Sequence, residues 1–396
     1  MPVEVADKVY WVGAIDWNVR NFHGYTYATP RGTTYNAYLV LADEPALVDT
    51  VARGFEEEMM ARIREVIDPA RIRHLIANHG EPDHSAAIPY VLAHAPHARL
   101  YCTRKGTESL GAYYPELGDF QVVATGDTLA LGGKTLQFIE APMLHWPDSM
   151  FTYVQEDRLL LPNDAFGQHL ATSQRFDDQV EAWQLWDEAA RYYANILTPF
   201  SRMVLRKLDE LAKSGLAIDT VAPSHGVIWR KDPLQIVHKY AEWAQQIPQK
   251  SAVILYDTMW NATRLMAEAI GDGLAAEGVP YKLLHAAVSD RNDVITEIFK
   301  AKAIVIGSPT LNRGPLPTIT PILEDLKGLR FKNKIGAAFG SYGWSGEAVK
   351  LLEQHLNACQ IPVVAPGVLA KWQPTAEDLA RCRQLGQQVA HAILGS

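Results

Sequence analysis

The chain has 396 residues, 48% hydrophobic and 21% charged, which suits two or three globular domains with ample core. Its net charge of -8 argues against nucleic acid as the main partner, a role that calls for a basic face. Three scattered cysteines (Cys102, Cys359 and Cys382) without a CxxC pair argue against a disulfide framework or a cysteine-held zinc or iron–sulfur site, and fit a reducing, cytoplasmic setting.

The N-terminus, "MPVEVADKVYWVG", has early acidic residues and no long apolar core, so it reads as no signal peptide. No run of about 18 apolar residues predicts a membrane span. The pattern predicts strands at 8–15, 35–42 and 46–50, then an amphipathic helix at 54–67. A buried strand at 73–78 follows, with further strands at 135–141, 149–154 and 158–164. Two helical stretches fill roughly 178–214, "TVAPSHG" (220–226) is a strand with a loop, and a helix spans 233–246. "IPQKS" (247–251) reads as a linker between a domain at 1–248 and one at 249–396. Beyond it, strands "SAVILY", "YKLLHA", "AIVIGS", "KIGAAFGS" and "IPVVA" (361–365) alternate with helices, the last near 374–393. That rhythm predicts an α/β, doubly wound parallel sheet.

"NHGEPDHSA" (78–86) begins where a buried strand ends, and places His79, Glu81, Asp83 and His84 within six positions. Four ligand types so close together are hard to explain as a solvated turn. His145, Asp164 and His225 lie at other strand ends of the same half. Alone, each is more often a hydrogen-bonded structural residue; together the set has four histidines and three carboxylates. Seven ligands exceed one tetrahedral site and suit two metals about 3.5–4 Å apart with a bridging carboxylate. The carboxylate share moves preference from zinc towards iron or manganese. The other histidines, such as His74, His94 and His238, lack such company and read as surface or core residues.

In the second half, "YDTMWNAT" (256–263) follows the first strand and opens a helix. Hydroxyls of Thr258 and Thr263, with backbone N–H groups around Met259, Trp260 and Asn261, make a phosphate cradle. It is neither a Walker loop nor a GxGxxG fingerprint. "GSPTLNRG" (307–314) offers Ser308, Pro309, Thr310, Asn312 and Gly314; "GSYGWSGE" (340–347) offers Ser341, Tyr342, Gly343, Trp344 and Ser345. Ligands of open α/β sheets bind beyond the carboxyl ends of strands, and aromatic residues there can stack on a planar ring. The three loops occur in flavodoxin order, and the first resembles a flavodoxin phosphate loop, which implies FMN.

"HGEPDH" (79–84) with His145, Asp164 and His225 resembles the metallo-β-lactamase fold in its flavodiiron protein form. Hydrolases of that fold carry His at the second motif position; here it is Glu81, the family's mark of a non-haem diiron site. The resemblance covers nearly the whole chain, including "TTYNAYL" (33–39), "MLHWPDSM" (143–150) and "NDAFGQH" (163–169). It implies an N-terminal metallo-β-lactamase-like αββα domain followed by a flavodoxin-like domain. Iron 1 would take His79, Glu81 and His145, iron 2 would take Asp83, His84 and His225, and Asp164 would bridge. The implied activity is an oxidoreductase taking O2 to water, NO to N2O, or both, with electrons passing through FMN. The chain shows no Cys pairs of a fused rubredoxin, so the donor is expected to be a separate protein, rubredoxin by resemblance. A head-to-tail homodimer, or a tetramer, is also implied.

Candidates for handling protons or shaping the pocket are His23 and Tyr25 in "FHGYTY", His169, Tyr193 in "RYYANI", and Trp146 beside His145. Two other readings stay open at this stage. One is a dimetal hydrolase with an appended flavodoxin domain, in which a metal-bound hydroxide attacks an ester or amide; Glu81 counts against it. The other is an electron carrier or redox-responsive binding protein with a degenerate metal site; the full ligand set counts against that.

Overall fold

The computed structural model describes residues 1–24 and 26–395. Its contacts divide it into two units: Met1–Tyr193 with Phe200–Ala244, and Ala194–Pro199 with Gln245–Ser396.

The first unit is built on two sheets. One has seven strands in the order Val3–Ala6, Val9–Trp11, Tyr38–Val40, Ala46–Val48, His74–Ile76, Arg99–Cys102, Phe120–Val122. It is antiparallel as far as Ala46–Val48 and parallel beyond. The other has five strands: Thr128–Ala130, Thr135–Glu140, Met150–Val154, Leu159–Leu161 and Thr220–Val221. Their inner faces share one core, with Tyr38, Val48 and Ile76 meeting Phe138, Met150 and Leu161. The helix Glu56–Val66 covers an outer face by burying Met59, Met60 and Ile63. Glu56, Glu57 and Glu58 in its first turn suit the positive end of the helix dipole.

This topology creates an edge rich in strand ends. Thr135–Glu140 and Leu159–Leu161 both run antiparallel to Met150–Val154, and Thr220–Val221 runs parallel to Leu159–Leu161. Three strands of one sheet therefore deliver their C-terminal loops to the same edge.

The second unit is a five-stranded, wholly parallel sheet. Numbered in chain order, its strands Gln249–Tyr256, Tyr281–His285, Ala301–Gly307, Ile335–Tyr342 and Val368–Lys371 lie 2-1-3-4-5. That is the flavodoxin-like order. Five helices, from Ala262–Ala276 to Ala376–Leu394, follow the strands.

Several elements differ from expectation. The run 361–365 is not the last strand. Pro362 has no N–H to give a ladder, and Val363 forms only an isolated bridge to Gly336. The fifth strand is Val368–Lys371, paired with the end of Ile335–Tyr342. The stretch 8–15 is two short strands, Val9–Trp11 and Ala14–Asp16, in different sheets. Strand Gln249–Tyr256 begins inside the expected linker. The helices Ile88–His94 and Arg104–Tyr113 and the strand Arg99–Cys102 were not foreseen.

Candidate metal centre and ligand pocket

The seven expected ligands come together. His79 follows the strand His74–Ile76, and Glu81 precedes the one-turn helix Pro82–Ser85, which carries Asp83 and His84. His145 lies between Thr135–Glu140 and Met150–Val154; Asp164 and His225 follow Leu159–Leu161 and Thr220–Val221. They form two groups, His79–Glu81–His145–Asp164 and Asp83–His84–His225, with one ligand atom per residue and all such atoms within 4.8 Å of one another in each group.

Asp164 joins the groups. Its Oδ2 lies 3.5 Å from His79 Nε2 and 3.4 Å from His145 Nε2. Its Oδ1 lies 2.9 Å from His84 Nε2 and 3.5 Å from His225 Nε2. Glu81 Oε2 lies 3.1 Å from His79 Nε2, and Asp83 Oδ2 lies 3.1 Å from His225 Nε2. One carboxylate thus turns one oxygen to each group.

These atoms are close without being hydrogen-bonded to one another throughout. Both oxygens of Asp83, both ring nitrogens of His84 and Oδ2 of Asp164 are buried with no hydrogen-bond partner among the described residues. Such atoms are costly to bury unless something satisfies them. Metal ions fit this donor set: imidazole nitrogens and carboxylate oxygens converge from four loops, and no thiolate is present.

The charge balance gives the same answer. Burial alone would lower the His84 and His145 pKa values, but Asp83 and Asp164 for the first, and Asp164 and Glu81 for the second, bring both to about 9. Burial would raise the carboxyl of Asp164, yet His84 and His145 hold it well below the usual range. The carboxylates thus favour positive charge at this centre, which a bound metal would supply in place of protons.

Outer partners orient the ligands. His79 Nδ1 faces Asp148 Oδ1 at 3.0 Å, leaving Nε2 for the centre. His225 Nδ1–H donates to the carbonyl of Thr34 at 2.6 Å. Gly226 next to it has φ +77°, and a Cβ there would collide with Gln168.

The pocket candidates fall at different places. His23 Nε2 lies 2.8 Å from Glu81 Oε1, at the rim, with its side chain 37% exposed. Burial works against its charge, but Glu81 raises its pKa overall. Trp146 stands edge-on to His79 with ring centres 4.9 Å apart. His169 is buried beside His225, 4.7 Å between ring centres, with Nδ1 2.8 Å from Thr33 Oγ1. Burial first, then the nearby His225 and His23, push its pKa well down, so its imidazole stays neutral. Tyr25 lies outside the described residues. Tyr193 turns its ring to Tyr240 and Trp243 and its hydroxyl to Ser201. Its neighbour Tyr192, not anticipated, is the one beside His169 (5.1 Å) and His225 (6.3 Å). Burial, with the charge of Asp164, raises its pKa well above 10.

In the second unit a cavity of about 810 Å³ opens at the carboxyl ends of the strands. Met259, Trp260, Pro309, Thr310, Asn312, Ser341, Tyr342, Gly343, Trp344 and Ser345 line it, as expected, and so do Arg313, Glu347, Trp372 and Gln373, which were not. Trp260 and Trp344 are 80% and 87% exposed, so they form a free aromatic rim and not core. Thr258 Oγ1 is buried with no partner among the described residues. It lies just before the helix Ala262–Ala276, whose N-cap Asn261 takes φ 65°. An unsatisfied hydroxyl at a helix N-terminus fits a phosphate. Thr263 and Ser308 play internal parts: Thr263 Oγ1 meets Ser341 Oγ at 3.0 Å, and Ser308 Oγ donates to Pro309 O and accepts from Leu316 N. Gly314 closes a turn with Leu311.

Comparisons with known proteins agree with this architecture. The family model described as ODP family beta lactamase matches residues 33–226, and the flavodoxin model matches 254–386. A protein of Moorella thermoacetica named nitric oxide reductase is 54% identical over 99% of both chains. The anaerobic nitric oxide reductase flavorubredoxin of Salmonella arizonae is 44% identical over 98% of this chain and 82% of its own length. Rubredoxin oxygen:oxidoreductase from Desulfovibrio gigas superposes with a TM-score of 0.97 at 38% identity, covering 100% of this chain and 99% of that one. The flavodiiron protein of Giardia intestinalis gives 0.94 at 34%, covering 100% and 97%. A lactamase-type domain followed by a flavodoxin domain, with relatives named for reduction of nitric oxide and oxygen, makes this chain an oxidoreductase and not a hydrolase. The chain belongs to the flavodiiron protein family. Among the described residues, no helix is long and apolar enough to cross a membrane.

Proposed function

We propose that this protein reduces NO to N2O, O2 to water, or both, at two iron ions, with FMN as its electron store. Iron 1 is assigned to His79, Glu81 and His145, iron 2 to Asp83, His84 and His225, and the bridge to Asp164. Residues 1–248 carry the metals and 249–396 carry FMN. The observation that bears most weight is Asp164, whose two oxygens face the two ligand groups separately. The names of the relatives supply the substrates: those named for NO are 54% and 44% identical, and the one named for oxygen is 38% identical.

Iron and FMN, when bound, supply the redox chemistry: two electrons and two protons take two NO to N2O and water, and four of each take O2 to two waters. The chain's residues shape that site. The outer partners Asp148 and Thr34 aim His79 and His225 inward. Trp146 walls the His79 side and keeps bulk water off it. His23, between solvent and Glu81, is placed to carry protons inward at Nε2. His169 stays neutral and buttresses His225. Thr258 and the turn at 259–261 would hold the flavin phosphate, and the exposed rim of Trp260 and Trp344 would flank a ring that a partner could cover. We assign that partner role to a second copy, head to tail, with a rubredoxin-like protein as the external donor.

The test is metal and flavin analysis of the purified chain, followed by anaerobic reduction and exposure to NO or O2. About two iron and one FMN per chain with gas consumption is expected. Zinc without flavin, or a reduced protein inert to both gases, would overturn the reading.

A further inference from the structure

The two metal positions are not built alike. At the first, both of the position's own ligands on the 79–81 turn are held from outside. His79 Nδ1 meets Asp148 Oδ1 at 3.0 Å, and Glu81 Oε1 meets His23 Nε2 at 2.8 Å while its Oε2 faces inward. At the second, the side chains of Asp83 and His84 face only other members of the cluster and take no hydrogen bond from outside it among the described residues, and His225 is held through Nδ1 by the Thr34 carbonyl at 2.6 Å and Thr33 Oγ1 at 3.3 Å, with no carboxylate behind it.

Asp148 is a built feature. It is 3% exposed. Its Oδ2 accepts from the Gly80 amide at 2.8 Å and from Ser109 Oγ at 2.6 Å. Its backbone carbonyl accepts from Thr103 Oγ1 at 3.0 Å. Ser109 and Thr103 belong to and cap the helix Arg104–Tyr113, so that helix braces the carboxylate. Gly80 has no room for a side chain: a Cβ would lie 2.3 Å from Ser109 Oγ and 2.8 Å from Asp148 Oδ2. A carboxylate on the far nitrogen of a ligating histidine fixes its orientation and raises its basicity.

We infer that Asp148 is a positioning residue that makes the His79–Glu81–His145 position the tighter of the two metal sites. This rests on the dimetal reading above. Preorganisation lowers the ordering cost of binding there, and the negative charge behind His79 favours a cation in front of it. The second position, with no carboxylate behind any of its ligands, binds later and releases first.

The experiment is an anaerobic Co2+ titration of metal-depleted protein against a chromophoric chelator, following the visible bands of the bound ion. Wild type is expected to show two classes, one tight and one weaker. Asp148→Asn presents an amide where three donors converge. It should weaken the tight class about 10–100-fold, the usual effect of losing such a partner, and leave the weaker class unchanged. Ser109→Ala, a milder change, should give a smaller loss in the same class, and Asp148→Glu should restore part of it. General damage would not spare one class, so the weaker class is the internal control. Two ions held equally by wild type, or both classes weakened together in Asp148→Asn, would overturn this assignment while leaving the dimetal reading intact. Fewer than two ions per wild-type chain would overturn the dimetal reading itself.

Discussion

Removing the metals should unfold the first unit at markedly lower temperature and leave the second unit alone. The metal-free centre keeps five buried atoms without partners: two oxygens of Asp83, two nitrogens of His84 and one oxygen of Asp164. Ions that satisfy them bind the folded state only, so they stabilise it by mass action. At a free concentration a thousand times Kd, one ion adds about 4 kcal/mol. For a unit of this size each kcal/mol moves the melting temperature by roughly 2–4 °C. The shift per ion is therefore about 8–16 °C. The assay is anaerobic calorimetry of loaded and chelated protein, with flavin fluorescence reporting the second unit independently. Metal analysis must show that chelation took the ions away. If the metal is gone and the first transition stays within about 2 °C, the ligand cluster is not a stabilising metal site and the argument from unpaired atoms fails.

Thr258→Val should weaken FMN binding by roughly 10–150-fold, the loss of one hydrogen bond to a charged group; fluorescence quenching on titration of the deflavinated protein reads it, and an unchanged Kd would remove Thr258 from the phosphate site. Burial pushes the thiols of Cys102 and Cys382 up to about 12, so at pH 8 both stay protonated and hidden. A thiol-reactive dye should therefore label at most Cys359 in the native chain and all three cysteines after denaturation; rapid labelling of two or three native thiols would contradict the packing. Phe138→Ala removes a ring that is 1% exposed between the two sheets. It should cost about 3–5 kcal/mol in the first unit alone, read as a lowered first transition with the flavin-reported transition unmoved.

The candidate ligands were legible in the sequence for a simple reason. Metal chemistry demands particular side-chain types, and strand ends put them where runs of Val, Leu and Ile stop. His79, Glu81, Asp83 and His84 are also neighbours in the chain, so no knowledge of the fold is needed to group them. The last strand misled for the opposite reason. "IPVVA" has the β-branched composition of a strand, but Pro362 interrupts its ladder and the segment only touches Gly336. The shorter Val368–Lys371 carries the pairing and delivers Trp372 to the cavity. That one misplacement is why Trp372 and Gln373 were missed as lining residues.

Orientation was the least legible layer. Tyr192 and Tyr193 differ by one position, about 100° around a helix, and the helix Ala182–Tyr192 passes into a π-turn at Tyr193–Leu197 at that point. Residue type cannot say which ring faces His169; the helical register decides it. Asp148 and Ser109 show the same limit. Nothing in "PDS" or "ESL" announces a metal partner, because their role depends on a helix from elsewhere in the chain closing over the 79–81 turn. The candidate ligands are thus chosen by chemistry and can be read one at a time. The residues we propose to set how unequally two ions are held, Asp148 and Ser109, are chosen by packing, and they become visible only when the loops are seen together.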